Sequence, residues 1–150
     1  MARTEKEPAG LNTGLLLFIP YRALENRVFA ALREAGFTDF TLAQARVLQR
    51  VGPHGTRLTD LAEQAQVTKQ TAGYLVDQLE GMGYVERTPD PTDARARLIR
   101  VAERGRRAAE RAAEAVAEVE AEWRAHLGAE DMDRLRGILT RLRAATDPYA

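Results

Sequence analysis

Apolar side chains recur along most of the chain at the three-to-four-residue spacing of amphipathic helices. Leu17, Tyr21, Leu24, Val28 and Leu32 fall close to one helical face, and Gly36 stands where that helix would stop. Pro20 interrupts the run. Either a kinked helix starts near Leu11, or the main helix begins with Pro20 in its first turn, where a missing N–H is tolerated. Thr41 and Gln44 then have capping-box spacing ahead of an inward-facing set, Val47, Leu48 and Val51. The breaker-rich stretch "GPHGT" at 52–56 predicts a loop. Two short helices follow, at about 59–65 and about 68–81, with Thr59 and Thr68 at the expected N-caps and a turn at Gln66 and Val67. Helices of this length and spacing form a helix-turn-helix. In the second, Ala72, Leu75, Val76 and Leu79 make a complete buried stripe, so the opposite face carries Gln70, Tyr74 and Asp77, flanked by Lys69, Thr71 and Gln78.

The period then changes. "YVER" (84–87) and "RLIRV" (97–101) are short strand candidates around the polar segment "TPDPTDARA", which Pro89 and Pro91 stiffen and which is too long for a two-residue turn. These features predict a β-hairpin with a long protruding loop, a wing. Beyond it, an Ala- and Glu-rich helix of about 25 residues is followed by a last helix over 129–145, with acids in its first turn and arginines in its last, as the helix dipole favours. The fold class expected is mainly α with a small β-hairpin wing. The winged helix-turn-helix domain spans 41–101, helical segments lie at 11–36 and 103–146, and residues 1–10 form a flexible tail.

Composition narrows the chemistry. The 150 residues are 45% hydrophobic and 29% charged, ordinary for a soluble globular chain. No apolar run approaches the roughly 20 residues of a membrane span, so no membrane partner is expected and the location is cytoplasmic. With no cysteine, a disulfide framework, a zinc finger and thiol-based sensing are excluded. His54 and His126 lack carboxylates at ligand spacing, and no nucleophile–base set or phosphate loop is present, so neither metal, cofactor nor catalysis is expected. The formal charge of zero is unevenly spread: net 0 over residues 1–40, +3 over 41–107 and −3 over 108–150. Only the middle third suits a polyanion. Arg87, Arg97 and Arg100 are candidate phosphate neutralisers there, or solvated strand residues. Phe18, Tyr21, Arg22, Phe37 and Arg46 could line a pocket that pairs aromatic walls with a cation for a carboxylate.

This order of elements resembles the MarR family of winged helix-turn-helix transcription regulators over residues 11–145. The matching pieces are Leu61-Ala62-Glu63, Val67-Thr68, Leu79-Glu80, Gly83-Tyr84-Val85, Asp90-Pro91, Asp93-x-Arg95 and Gly105-Arg106. The resemblance implies a homodimer joined through its terminal helices, binding a pseudo-palindromic double-stranded DNA operator and often a small aromatic acid. Val116, Val119, Trp123, Leu127, Ile138 and Leu142 would supply apolar faces for that dimer. It implies Thr68, Lys69, Gln70, Thr71 and Tyr74 in the major groove, and Arg95 in the minor groove with Asp93 holding it. Tyr74 stands about where many members carry arginine, Ala102 where a threonine commonly caps the long helix, and Pro20 alters the first helix. The function expected is a homodimeric, sequence-specific DNA-binding regulator, a repressor relieved by a small ligand such as a phenolic acid. The alternative is a winged-helix protein-interaction module that does not bind DNA.

Overall fold

The computed structural model describes residues 10–150, so residues 1–9 of the expected flexible tail lie outside the described residues. The elements run α1 (Thr13–Glu34), α2 (Leu42–Leu48), α3 (Leu58–Ala65), α4 (Lys69–Gly81), β1 (Val85–Asp90), β2 (Asp93–Val101), α5 (Glu103–Leu127) and α6 (Ala129–Thr146). The mostly helical fold with one antiparallel hairpin is the fold class that the periodicity predicts.

Asn12 caps α1 by accepting from the Leu15 N–H at 2.9 Å, and the helix runs on through Pro20, so the reading with an early start near Leu11 is the one formed. It stops at Gly36, whose φ of +97° suits glycine. There the Phe37 N–H reaches the Leu32 carbonyl at 3.0 Å. Thr41 and Gln44 form the reciprocal capping box at α2.

Helices α2, α3 and α4 pack with the hairpin into a lobe around Val47, Leu61, Val76, Leu79, Tyr84 and Ile99, each at most 2% exposed. Full burial of such side chains contributes about 1.5–3 kcal/mol each, so truncating Leu79 to alanine should cost about 2–5 kcal/mol. Helix α5 leaves the lobe to pack along α1 and α6, whose outer faces stay exposed: Leu15, Leu16, Phe18 and Ile19 on α1, and Ile138 and Leu142 on α6. Among the described residues, no helix is long and apolar enough to cross a membrane.

Three local expectations need correction. Helix α3 begins at Leu58 with Arg57 in the N-cap position, so Thr59 is a first-turn residue and not the cap. The cause is tertiary. Thr56 exchanges both backbone hydrogen bonds with Ile99 at 2.9 Å, an isolated antiparallel bridge beside β2, and Arg57 is the last extended residue before the helix. The sequence alone predicts a plain loop at position 56. The wing also lacks a long open loop. Both strands continue to a two-residue connection at Pro91 and Thr92, and the surplus is absorbed where pairing jumps from Pro89↔Arg97 to Asp90↔Asp93. Ala94, Arg95 and Ala96 therefore form a bulge. Asp90 makes the tight connection possible by accepting from the Thr92 N–H at 2.8 Å and its hydroxyl at 2.7 Å.

The hairpin base meets α5 at unusually close range. The Ala102 N–H donates to the Tyr84 carbonyl at 2.9 Å, and Ala102 opens α5 without a side-chain cap, as its sequence implies. A Cβ on Gly105 would overlap the Tyr84 carbonyl oxygen and sit 2.8 Å from Val101 Cγ1, so backbone lies directly on backbone.

Candidate nucleic-acid interface

Helix α4 is started by Thr68, whose Oγ1 accepts from the Thr71 N–H at 3.1 Å. The Thr68 hydroxyl also donates to the Thr71 hydroxyl at 2.9 Å. The apolar stripe Ala72, Leu75, Val76 and Leu79 is buried, and Lys69, Gln70, Thr71, Tyr74 and Asp77 face solvent, with Tyr74 63% exposed. Tyr74 is not loose. Its hydroxyl accepts from Gln78 Nε2 at 3.0 Å, and Gln78 Oε1 accepts from the Gln44 side chain at 2.8 Å. Gln44 is the buried capping-box residue of α2, so a polar relay ties the most projecting ring on this face to the lobe interior. Sequence reading placed Gln78 beside Tyr74 but did not assign the relay. The i, i+4 spacing of Tyr74 and Gln78 was the available signal.

Asp77 is neutralised by a basic neighbour. Arg87 reaches Asp77 Oδ1 at 2.7 Å and Glu80 Oε1 at 3.0 Å. Arg87 is thereby held between two carboxylates on the lobe surface. On the wing, Arg57 grips Asp90 through Nε at 2.8 Å and a terminal nitrogen at 2.7 Å. The amide and hydroxyl of Thr92, then Arg57, stabilise the Asp90 carboxylate and bring its pKa down to about 2.

Asp93 does something other than grip the Arg95 fork. Its Oδ1 accepts from the Arg95 backbone N–H at 3.0 Å, and its other oxygen lies 4.0 Å from Arg57. The bulge turns the amide two residues on toward the carboxylate, an Asx-type closure that leaves the Arg95 guanidinium outside. Arg95 and Arg97 are both exposed.

Paired and unpaired cations separate cleanly. In the lobe Arg46, Arg50, Arg57 and Arg87 each have a carboxylate within 4.0 Å. Among the described residues, Lys69, Arg95, Arg97 and Arg100 have none, and all four are exposed. One stands at the N-terminal end of α4 and three stand on β2.

Of the five residues expected in a pocket near the first helix, two line one. A cavity of ≈ 360 Å³ lies among α1, α2 and α5, lined by Tyr21 and Arg46 together with Leu24, Val28, Phe29, Leu32, Val51 and Ala112, among others. Phe18, Arg22 and Phe37 do not line it. Arg22 instead sits over the Phe18 ring at 5.7 Å on the outer face of α1, and Phe37 faces the Tyr84 ring at 6.3 Å. Helical spacing aligned these residues along the chain, but the cavity opens on the face that turns toward α5. Among the described residues, no group of three or more His, Cys, Asp or Glu side chains is placed to hold a metal.

No curated protein matches the sequence. Solved structures do. A transcriptional regulator of Thermotoga maritima is 27% identical with a TM-score of 0.62, covering 89% of this chain and 93% of that one. A MarR family protein of Mycobacterium tuberculosis in complex with salicylic acid is 29% identical with a TM-score of 0.65, covering 89% and 98%. NadR in complex with 4-hydroxyphenylacetate is 25% identical with a TM-score of 0.67, covering 94% and 97%. Residues 38–96, which hold α2, the helix-turn-helix and most of the wing, match the sequence model of the MarR family. In its sequence match over 38–96, its element order and its whole-chain likeness to those structures, the chain resembles the MarR family and has the winged helix-turn-helix fold.

Proposed function

We propose that the protein is a homodimeric, sequence-specific DNA-binding regulator that represses transcription until a small molecule fills the α1–α2–α5 cavity. The observation that carries this reading is the placement of the lobe's unpaired cations, Lys69 beside the exposed Gln70, Thr71 and Tyr74, and Arg95, Arg97 and Arg100 along β2. Specific DNA binding requires positive charge at the groove-facing edge and not over the whole surface. Internal ion pairs cancel most other arginines of the lobe, so a chain of zero net charge still offers a basic rim.

In this reading α4 enters the major groove, where Gln70 can pair with adenine, and Arg95 enters the minor groove, whose negative potential attracts arginine. Two copies join through α1, α5 and α6. The exposed Leu15, Leu16, Phe18, Ile19, Ile138 and Leu142 support that interface, because an isolated chain would leave them in water. Val119 is already buried within one chain, and Val116 lines the cavity. A two-fold dimer would place its reading helices about one helical turn of DNA apart.

The test is fluorescence anisotropy with duplexes tiling the intergenic DNA beside the protein's own gene, with light scattering on the same sample. The expected outcome is a particle of about twice 16.6 kDa that prefers one duplex over scrambled DNA. A dimer that distinguishes no duplex would favour the protein-interaction module instead. A monomer at micromolar concentration would overturn the two-half-site arrangement.

A further inference from the structure

The cavity has an internal charge balance that bears on what fills it. Its lining is apolar apart from Tyr21, Glu25, Arg46 and Gln49, and its only ionic groups are Glu25 and Arg46. These two are bound to each other. Arg46 Nε donates to Glu25 Oε2 at 3.0 Å and Arg46 Nη2 donates to Glu25 Oε1 at 2.8 Å, a bidentate pair. The Tyr21 hydroxyl adds a third bond to Glu25 Oε2 at 3.0 Å. Both carboxylate oxygens are thus occupied, and the side chain of Glu25 is only 12% exposed. The pairing with Arg46 holds its carboxyl below the ordinary range, so the pair stays ionised at neutral pH.

We infer that the cavity selects an uncharged, largely apolar aromatic molecule over the corresponding carboxylate, with Glu25 as the specificity-determining residue that neutralises Arg46. The inference rests on the reading of the cavity as an effector site. An anion entering this space meets a cation whose charge is cancelled, and burying it there leaves a charge without a partner among apolar walls. A neutral isostere avoids that penalty and keeps the same contacts with Leu24, Val28, Phe29 and Ala112. The volume, ≈ 360 Å³, is at the small end of the roughly 300–1,000 Å³ usual for small-molecule sites, which suits a compact ring system.

The experiment is a calorimetric titration of the full-length protein with 2-naphthamide and 2-naphthoate at neutral pH, repeated on Glu25→Gln and on Ala112→Phe. The expected result is that wild type prefers the amide by at least about tenfold, corresponding to about 1.4 kcal/mol. Glu25→Gln, which exposes the Arg46 charge to the cavity, should reverse the preference toward the carboxylate. Ala112→Phe, which fills the space, should abolish binding of both. If wild type prefers the carboxylate, the charge selection is wrong but the site stands. If Glu25→Gln leaves the preference unchanged, Glu25 is not its source. If neither probe binds wild type, or Ala112→Phe still binds both, the cavity is not the effector site and the parent reading fails with it. Circular dichroism spectra matching wild type certify that each variant is folded.

Discussion

The bulge in β2 allows the wing's geometry and its charge to be tested separately through one residue, Asp93. Its carboxylate accepts the Arg95 backbone N–H at 3.0 Å and leaves the guanidinium outside. Asp93→Ala removes that acceptor. A net hydrogen bond contributes about 0.5–1.5 kcal/mol, and a dimer has two wings, so DNA affinity should fall by about 1–3 kcal/mol, or about 5- to 140-fold. Asp93→Asn keeps a side-chain carbonyl in the same place but removes a negative charge from a surface facing phosphates. Two unit charges roughly 10 Å apart in water repel by about 0.4 kcal/mol, so this variant should bind as tightly as wild type or slightly tighter. The two substitutions thus move in opposite directions although both remove the same charge. Anisotropy titrations on cognate and scrambled duplexes at 50 and 200 mM salt measure the difference. Equal tightening in both variants would refute the ordered-bulge argument and leave the wing as plain charge; equal weakening would assign the effect to the carboxylate's charge and not to its acceptor.

Three further outcomes follow from the contacts described. Gly105→Ala should lower stability by about 1–3 kcal/mol in urea denaturation, because the new methyl overlaps the Tyr84 carbonyl and backbone must shift; an unchanged midpoint would contradict that close approach. The Asp90 carboxyl, at about 2 in the fold against an ordinary 3.8, contributes stability that is fully present above pH 3.8 and is lost as pH falls toward 2. Denaturation midpoints between pH 5 and pH 2 should therefore drop less in Asp90→Asn than in wild type. Gln70→Ala should weaken binding to the cognate duplex by about 1–3 kcal/mol and to scrambled DNA very little; equal loss on both would remove Gln70 from base reading.

What was legible in the sequence was local. The stripe through Ala72 and Leu79, the Thr68 cap, the Thr41–Gln44 box and the Gly36 stop are each written within a few residues, and each forms as predicted. The departures come from contacts distant in sequence. Helix α3 starts one residue early because Ile99 holds Thr56, 43 positions away, and no window around Thr59 contains that. The wing's surplus residues were counted correctly, but whether they open a loop or crowd into a bulge depends on Asp90 closing on Thr92 while Arg57 grips it. At the candidate site, the exposed face of α4, Asp77 included, was readable from its period, but the period names no partner for Asp77. That the neighbour is Arg87, and that this engages a cation assigned to phosphate, required the hairpin to fold back on α4. The cavity was the least legible feature, since three helices build it, and of five residues proposed for it Tyr21 and Arg46 are there.

The bare contact between Gly105 and Tyr84 has a mechanical consequence. No side chain intervenes there to act as a compliant cushion, so the hairpin base and the start of α5 form a fulcrum. Val101 and Gly105 also line the cavity, which puts the fulcrum in its wall. From Val85 the strand β1 extends five residues to Asp90, roughly 16 Å at 3.3 Å per residue, so the wing tip is the far end of a lever. One glycine thus sets how closely the hairpin base, the start of α5 and the cavity wall approach one another.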